Sequence, residues 1–168
     1  GTAIPHSNKS YILRSANGAT IYAEAQSTVY QNDNGTGALV TSYDYAWHEN
    51  TTRPRVIQTS RPPVAVSDHG TGSAIVSRVA MDRHGNATWS MDGDGYVTHQ
   101  TFDVPTGGLL QTVSDVNAAL LASSAQLELA ALGWSLRADG LHLTASNEVD
   151  GLGRTTKVTD PTGHVTYT

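Results

Sequence analysis

Asp-x-x-Gly occurs four times in this chain, at Asp82/Gly85, Asp92/Gly95, Asp150/Gly153 and Asp160/Gly163, as two pairs whose members lie ten residues apart. Sliding the second pair back by 68 positions also lays Thr156 on Thr88, Val165 on Val97 and Thr166 on Thr98, so the likeness extends past the turn residues. A looser copy, Asp103-Val104-Pro105-Thr106-Gly107, continues the first pair with one residue inserted. Aspartate at the head of a turn accepts hydrogen bonds from backbone amides two residues on, and glycine tolerates positive φ where the chain leaves the turn. Ten residues is one short strand plus one turn, so each motif is expected to close a hairpin. The intervening residues suit a pleated surface, as in Ala87–Met91, Tyr96–Phe102 and Arg154–Thr159.

Composition agrees with a fold made of strands and turns. Hydrophobic residues are 38% and charged residues only 15% of the 168, the balance being rich in Gly, Ser, Thr and Asn. The length fits one ordinary domain with a substantial core if its sheets close on themselves. A net charge of -5 supplies no basic surface to follow a phosphate backbone, which argues against a nucleic-acid partner. Without cysteine there is no disulfide, thiolate nucleophile or cysteine-based metal site. The longest apolar run, Ala118–Ala122, is far short of the roughly 20 residues that cross a bilayer as a helix, so no membrane span is expected. The chain opens at Gly1 without a signal-peptide pattern and stops inside an alternating segment, and is expected to be a piece of something longer.

The expected fold class is all-β, a meander of short antiparallel hairpins with one helical insertion. Residues 1–72 form a hairpin region. Asn17-Gly18 is its strongest two-residue hairpin signal, and Asn32-Asp33-Asn34-Gly35 marks a second turn. After that turn Leu39, Thr41, Tyr43, Tyr45 and Trp47 fall on one face, which is expected to be covered. Pro54, Pro62 and Pro63 mark residues 49–63 as a proline-rich loop or sheet-edge segment. Asp68–Gly72 is a further turn, after which Ile75, Val79 and Met81 share a face. Residues 73–115 carry the first repeats and 139–168 the last. Between them, 116–138 read as a helix that follows Ser114-Asp115 as N-cap and stops at Gly133, with Leu120, Ser124, Leu127 and Ala131 aligned on one side; a strand-and-loop insertion is the other reading.

The run Glu148–Tyr167 resembles an RHS repeat, also called a YD repeat, with its aromatic-Asp-x-x-Gly-Arg…Asp-Pro-x-Gly-Asn-x-Thr-x-Tyr pattern. Met81–Asp103 is similar, with Gly85-Asn86 and Phe102-Asp103 in place. The chain departs from the pattern at Val149 and Met81, where an aromatic is usual, and at His164 and Tyr96, where Asn is usual. Such repeats recur in bacterial RHS proteins, in the C component of insecticidal toxin complexes and in animal teneurins. The resemblance implies a long sheet wound into a hollow β-shell, secreted or at the cell surface, that encloses a polypeptide, often the C-terminal domain of a polymorphic toxin, or serves as a scaffold. The implied partners are the rest of the same shell and the enclosed C-terminal domain. The turn formers Asp82, Gly85, Asp92, Gly95, Asp150, Gly153, Asp160 and Gly163 then carry the function structurally, with no catalytic residue, metal or cofactor.

Other chemistry finds less support. Asp160-Pro161-Thr162-Gly163 matches the core at which some members of that family cleave themselves, yet the same tetrapeptide is an ordinary repeat turn, and His164 stands where Leu is expected. Asp92-Gly93-Asp94-Gly95 alternates carboxylates as a calcium loop does, but Val97 and Asp103 stand where such a loop needs Gly and Glu. The seven histidines are scattered, and no Gly-x-Ser-x-Gly elbow accompanies the serines. Asn50-Thr51-Thr52 and Asn86-Ala87-Thr88 match the glycosylation pattern, which a bacterial origin makes silent. The alternative reading is a free-standing β-sandwich adhesion or carbohydrate-binding module, with Trp47 and Trp89 as ligand-facing aromatics.

Overall fold

The computed structural model describes residues 6–137 and 139–168. The strands are β1 (Ser7–Ala16), β2 (Ala19–Tyr30), β3 (Ala38–Trp47), β4 (Pro54–Arg61), β5 (Ile75–Met81), β6 (Ala87–Met91), β7 (Val97–Phe102), β8 (Leu109–Ser114), β9 (Leu143–Val149), β10 (Thr155–Thr159) and β11 (Val165–Tyr167). One helix, α1 (Ser123–Leu132), lies between β8 and β9. Hydrogen-bonded neighbours in the sheet are neighbours in sequence, and strands pair antiparallel from β1 to β4 and from β6 to β11, so the fold is the expected all-β meander with one helical insertion. The chain divides into two compact units, one ending at Arg78 and the other beginning at Val79.

In the first unit, Asn17 (φ 49°) and Gly18 (φ 75°) are both left-handed, the conformation a two-residue hairpin turn needs, and Ala16 faces Ala19 across it. The register steps from Ser10 facing Gln26 to Tyr11 facing Glu24, leaving Ala25 as a bulge. Gln31 to Gly37 close the second hairpin, where the Gln31 and Asn32 amides donate to the Gly37 and Thr36 carbonyls. The proline-rich loop expected at 49–63 is corrected: Pro54–Arg61 is strand β4, facing β3 from Trp47/Pro54 to Ser42/Ser60. The prolines bound this strand without interrupting it. Pro54 is its first residue, and Pro62 and Pro63 follow its last, so none removes an interior amide. The aromatic face of β3 is only partly covered. Tyr45 stacks on Trp47 at 5.2 Å, and the Arg14 guanidinium lies 5.7 Å from the Trp47 ring, while Leu39 remains 37% exposed.

The second unit holds every buried hydrophobic side chain among the described residues: Ala80, Trp89, Val97, Val113, Val116, Ala125, Leu129 and Trp134. Register explains much of this. Trp89 faces His99, His99 faces Val113, and Met91 faces Val97, so these side chains share one face of β6–β8. The insertion covers that face, with Ala125 and Leu129, four residues apart on α1, turned inward. The expected helix changes in extent, cap and buried side. The helix is shorter than 116–138, preceded by a separate 3-10 turn at Ala118–Leu120, and Ser114-Asp115 is not its cap: Ser114 ends β8, and the capping position is Ala122. Its buried side is Ala125/Leu129, while Leu120 and Leu127 are exposed. In β5, Ile75, Val79 and Met81 share a face by parity, and the buried residue, Ala80, lies on the other. Gly133 does end the helix, at φ 66°.

Candidate functional site

The four Asp-x-x-Gly motifs become one repeated corner. In each, the glycine amide donates back to the aspartate carbonyl at 2.9–3.2 Å, and glycine takes positive φ, at 96°, 85°, 78° and 86° for Gly85, Gly95, Gly153 and Gly163. One carboxylate oxygen collects two amides. Asp82 Oδ1 takes those of His84 and Asn86, Asp92 those of Asp94 and Tyr96, Asp150 those of Leu152 and Arg154, and Asp160 those of Thr162 and His164. The second carboxylate oxygen of Asp82 accepts from Asn86 Nδ2, and that of Asp150 from Arg154 Nε at 2.7 Å and Nη2 at 2.6 Å. The looser copy works through its inserted residue: Asp103 Oδ2 accepts from the Thr106 amide and hydroxyl, and the Gly107 amide donates to the Asp103 carbonyl.

Ionisation follows these bonds. The Arg154 guanidinium holds the Asp150 carboxyl below its ordinary value, and the Thr162 hydroxyl with the His164 amide does so for Asp160. Partial burial opposes ionisation of Asp82, but hydrogen bonds from Asn86 and neighbouring amides outweigh it and leave its carboxyl low as well. A meander places alternate corners on the same side. The corner at 150–153 meets that at 103–107, since a Cβ on Gly153 would lie 3.1 Å from the Thr106 carbonyl oxygen and side chain. Asp82, Asp92, Asp150 and Asp160 therefore act as turn formers, each with an oxygen engaged by its own loop.

The two tryptophans part company. Trp89 is 2% exposed, so its expected place on a ligand-facing surface is corrected: it lies under α1, where its indole Nε1 donates to Glu128 Oε2 at 3.2 Å. His99 stacks on it with centroids 4.0 Å apart. Burial lowers the His99 pKa, Glu128 pulls it upward, and nearby His142 adds to the lowering. Thr88, His99, Thr101, Phe102, Ala125 and Glu128 line a cavity of about 260 Å³ beside this cluster. Trp47 remains partly open, against Tyr45 and Arg14.

Sequence reasoning did not find the Trp89–His99–Glu128 cluster. Trp89 and Glu128 lie 39 positions apart, and the helix face that joins them carries no regular apolar period. Nor did it find the base of the insertion. There the Asp115 carbonyl accepts the His142 amide at 2.8 Å, Asp115 Oδ2 accepts the Leu141 amide at 2.9 Å, and the Asn117 amide donates to His142 Nδ1 at 3.3 Å. Among the described residues no group of three His, Asp or Glu side chains could hold a metal ion, and no helix is long and apolar enough to cross a membrane. The chain matches no protein-family model and no curated protein.

Proposed function

We propose that this chain is a non-enzymatic RHS-type repeat segment, part of the wall of a secreted or surface-associated β-shell that encloses a polypeptide, often a C-terminal toxin domain, or serves as a scaffold. The observation that carries the reading is the repeated corner: four motifs in register, each with the same carboxylate-to-amide pattern, fold the chain into strands that pair in sequence order. Such a wall extends by adding hairpins to a free edge. Among the described residues, β1 and β11 each pair on one side only. Enclosure needs a surface that shields its content from solvent and proteases, and no cofactor enters that role.

Electron microscopy of the complete polypeptide that carries this segment tests the reading. A hollow particle with internal density, whose content resists protease until the wall is disrupted, is the expected result. A solid globular domain overturns it. So does a monomeric 168-residue chain that binds oligosaccharides on a glycan array and loses that binding in Trp47→Ala, since this would favour the carbohydrate-binding alternative.

A further inference from the structure

Residues 115–142 leave the sheet at the end of β8 and return at the start of β9, and among their described residues the attachment is concentrated at two places. At the base, Asp115 (φ 51°) and His142 (φ 52°) both hold left-handed backbone, which non-glycine residues seldom adopt, and three hydrogen bonds join the two stems. Gly140 lies so close to the other stem that a Cβ would fall 2.6 Å from the Val116 carbonyl oxygen. Over the sheet, Glu128 accepts from Trp89, the Val116 amide donates to the Val97 carbonyl at 2.9 Å, and the Arg137 guanidinium lies 4.6 Å from the Tyr96 ring. A histidine belongs to each place.

We propose that this insertion is an acid-released cover: protonation of His142 at its base and His99 beneath its helix loosens residues 115–142 and uncovers Trp89, Val97 and Val113. The bond at His142 requires a lone pair on Nδ1, because that atom accepts the Asn117 amide; an imidazolium carries hydrogen on both nitrogens and cannot accept. The left-handed backbone at both stems then loses one of the bonds that hold it. His99 is half-buried between Trp89 on β6, Val113 on β8 and the helix, so a charge there is poorly solvated. The groups facing it are Glu128 from α1, which favours the cation, and His142 from the approach to β9, which disfavours it; burial is the largest influence and lowers its pKa. The sign follows. Unfolded histidine titrates near 6.5, and the folded His99 value lies lower, so its contribution to keeping the cover closed is full above that pH and is lost as pH falls through the folded value. The histidines at His142 and His99 share no corner, and the corner carboxylates with depressed pKa stay ionised in this range. The inference is independent of the shell reading.

Hydrogen exchange of the 168-residue chain, corrected for the intrinsic pH dependence of exchange, tests it between pH 7.5 and 5. Amides of 115–142, Val116 and Asn117 foremost, are expected to exchange at least tenfold faster at the lower pH, while those of the Asp150 and Asp160 corners keep their protection. His142→Asn supplies a non-titrating acceptor on a residue that tolerates left-handed backbone, and His99→Gln a neutral side chain; the double variant is expected to give a flat profile. Should a variant not fold, dye binding and Trp emission of the wild-type chain read the same opening. Unchanged protection of 115–142 across this range, loss of protection at the corners in parallel, or a folded double variant that opens with the wild-type pH dependence overturns the proposal.

Discussion

A single aspartate carboxylate sets the geometry of each corner, because one oxygen gathers two amides that would otherwise point into a four-residue loop without partners. Asp82→Ala removes three such bonds and is expected to cost about 1–2 kcal/mol in urea denaturation, while Asp82→Asn, which keeps an acceptor, costs less. The glycines divide by space as well as by φ. Gly85 has open space around a Cβ, so Gly85→Ala meets only the left-handed penalty of about 1 kcal/mol. Gly153→Ala adds a collision with Thr106 and is expected to cost about 2 kcal/mol or more by the same measurement. Acid should act on these sites in a defined direction. The carboxyls of Asp150 and Asp160 are lower in the folded chain than the unfolded value near 3.9, so their stabilisation is full above that pH and is lost as pH falls through the folded values. Thermal melting from pH 6 to 2 should show that loss, and an Asp150→Asn/Asp160→Asn chain should show less of it. These residues were legible in the sequence because the chemistry of each corner is complete within five consecutive positions.

The elements differ in how far their neighbours decide them. Hairpins β5–β6, β6–β7, β9–β10 and β10–β11 follow directly from their corners, whereas the position and inner face of α1 do not. An Ala/Leu/Ser run places leucines around most of the helix, and only the sheet beneath it selects Leu129 over Leu127. Leu129→Ala is therefore expected to destabilise by about 2–4 kcal/mol and Leu127→Ala by less than about 0.5 kcal/mol, read as shifts in the urea midpoint. Trp89→Phe retains an aromatic ring under the helix but loses the bond to Glu128, at a cost of about 1–2 kcal/mol. Strand β4 makes the complementary point. Three prolines within ten positions argue against a ladder, yet β3 supplies partners for Pro54 and for the five residues Val56–Ser60 because the prolines stand where no interior amide is required.

At the level of the whole molecule, the two units bury their residues unequally. The first unit has no buried hydrophobic side chain among its described residues, and Tyr11, Leu13 and Tyr22 on its first hairpin are each more than half exposed, whereas the second buries eight. Hydrogen exchange at neutral pH should accordingly protect β6–β8 longest and release β1 and β2 first; equal protection in both would mean that the apolar face of the first hairpin is covered in solution. The positions of the Asn-Gly and Asp-x-x-Gly turns, the all-β class and the site of the interruption were determined by the sequence itself, since turn chemistry and period-two alternation act over a few adjacent residues. The tertiary structure alone decided that Trp89 is sealed under a helix, that His99 and His142 lie near one another, and that Asp115 and His142 clasp the stems of the insertion. Each of those outcomes depends on burial and on hydrogen bonds, ring stacking and charge interactions between residues about 10 to 43 positions apart, and no local pattern encodes which distant surface will exclude water from a given side chain.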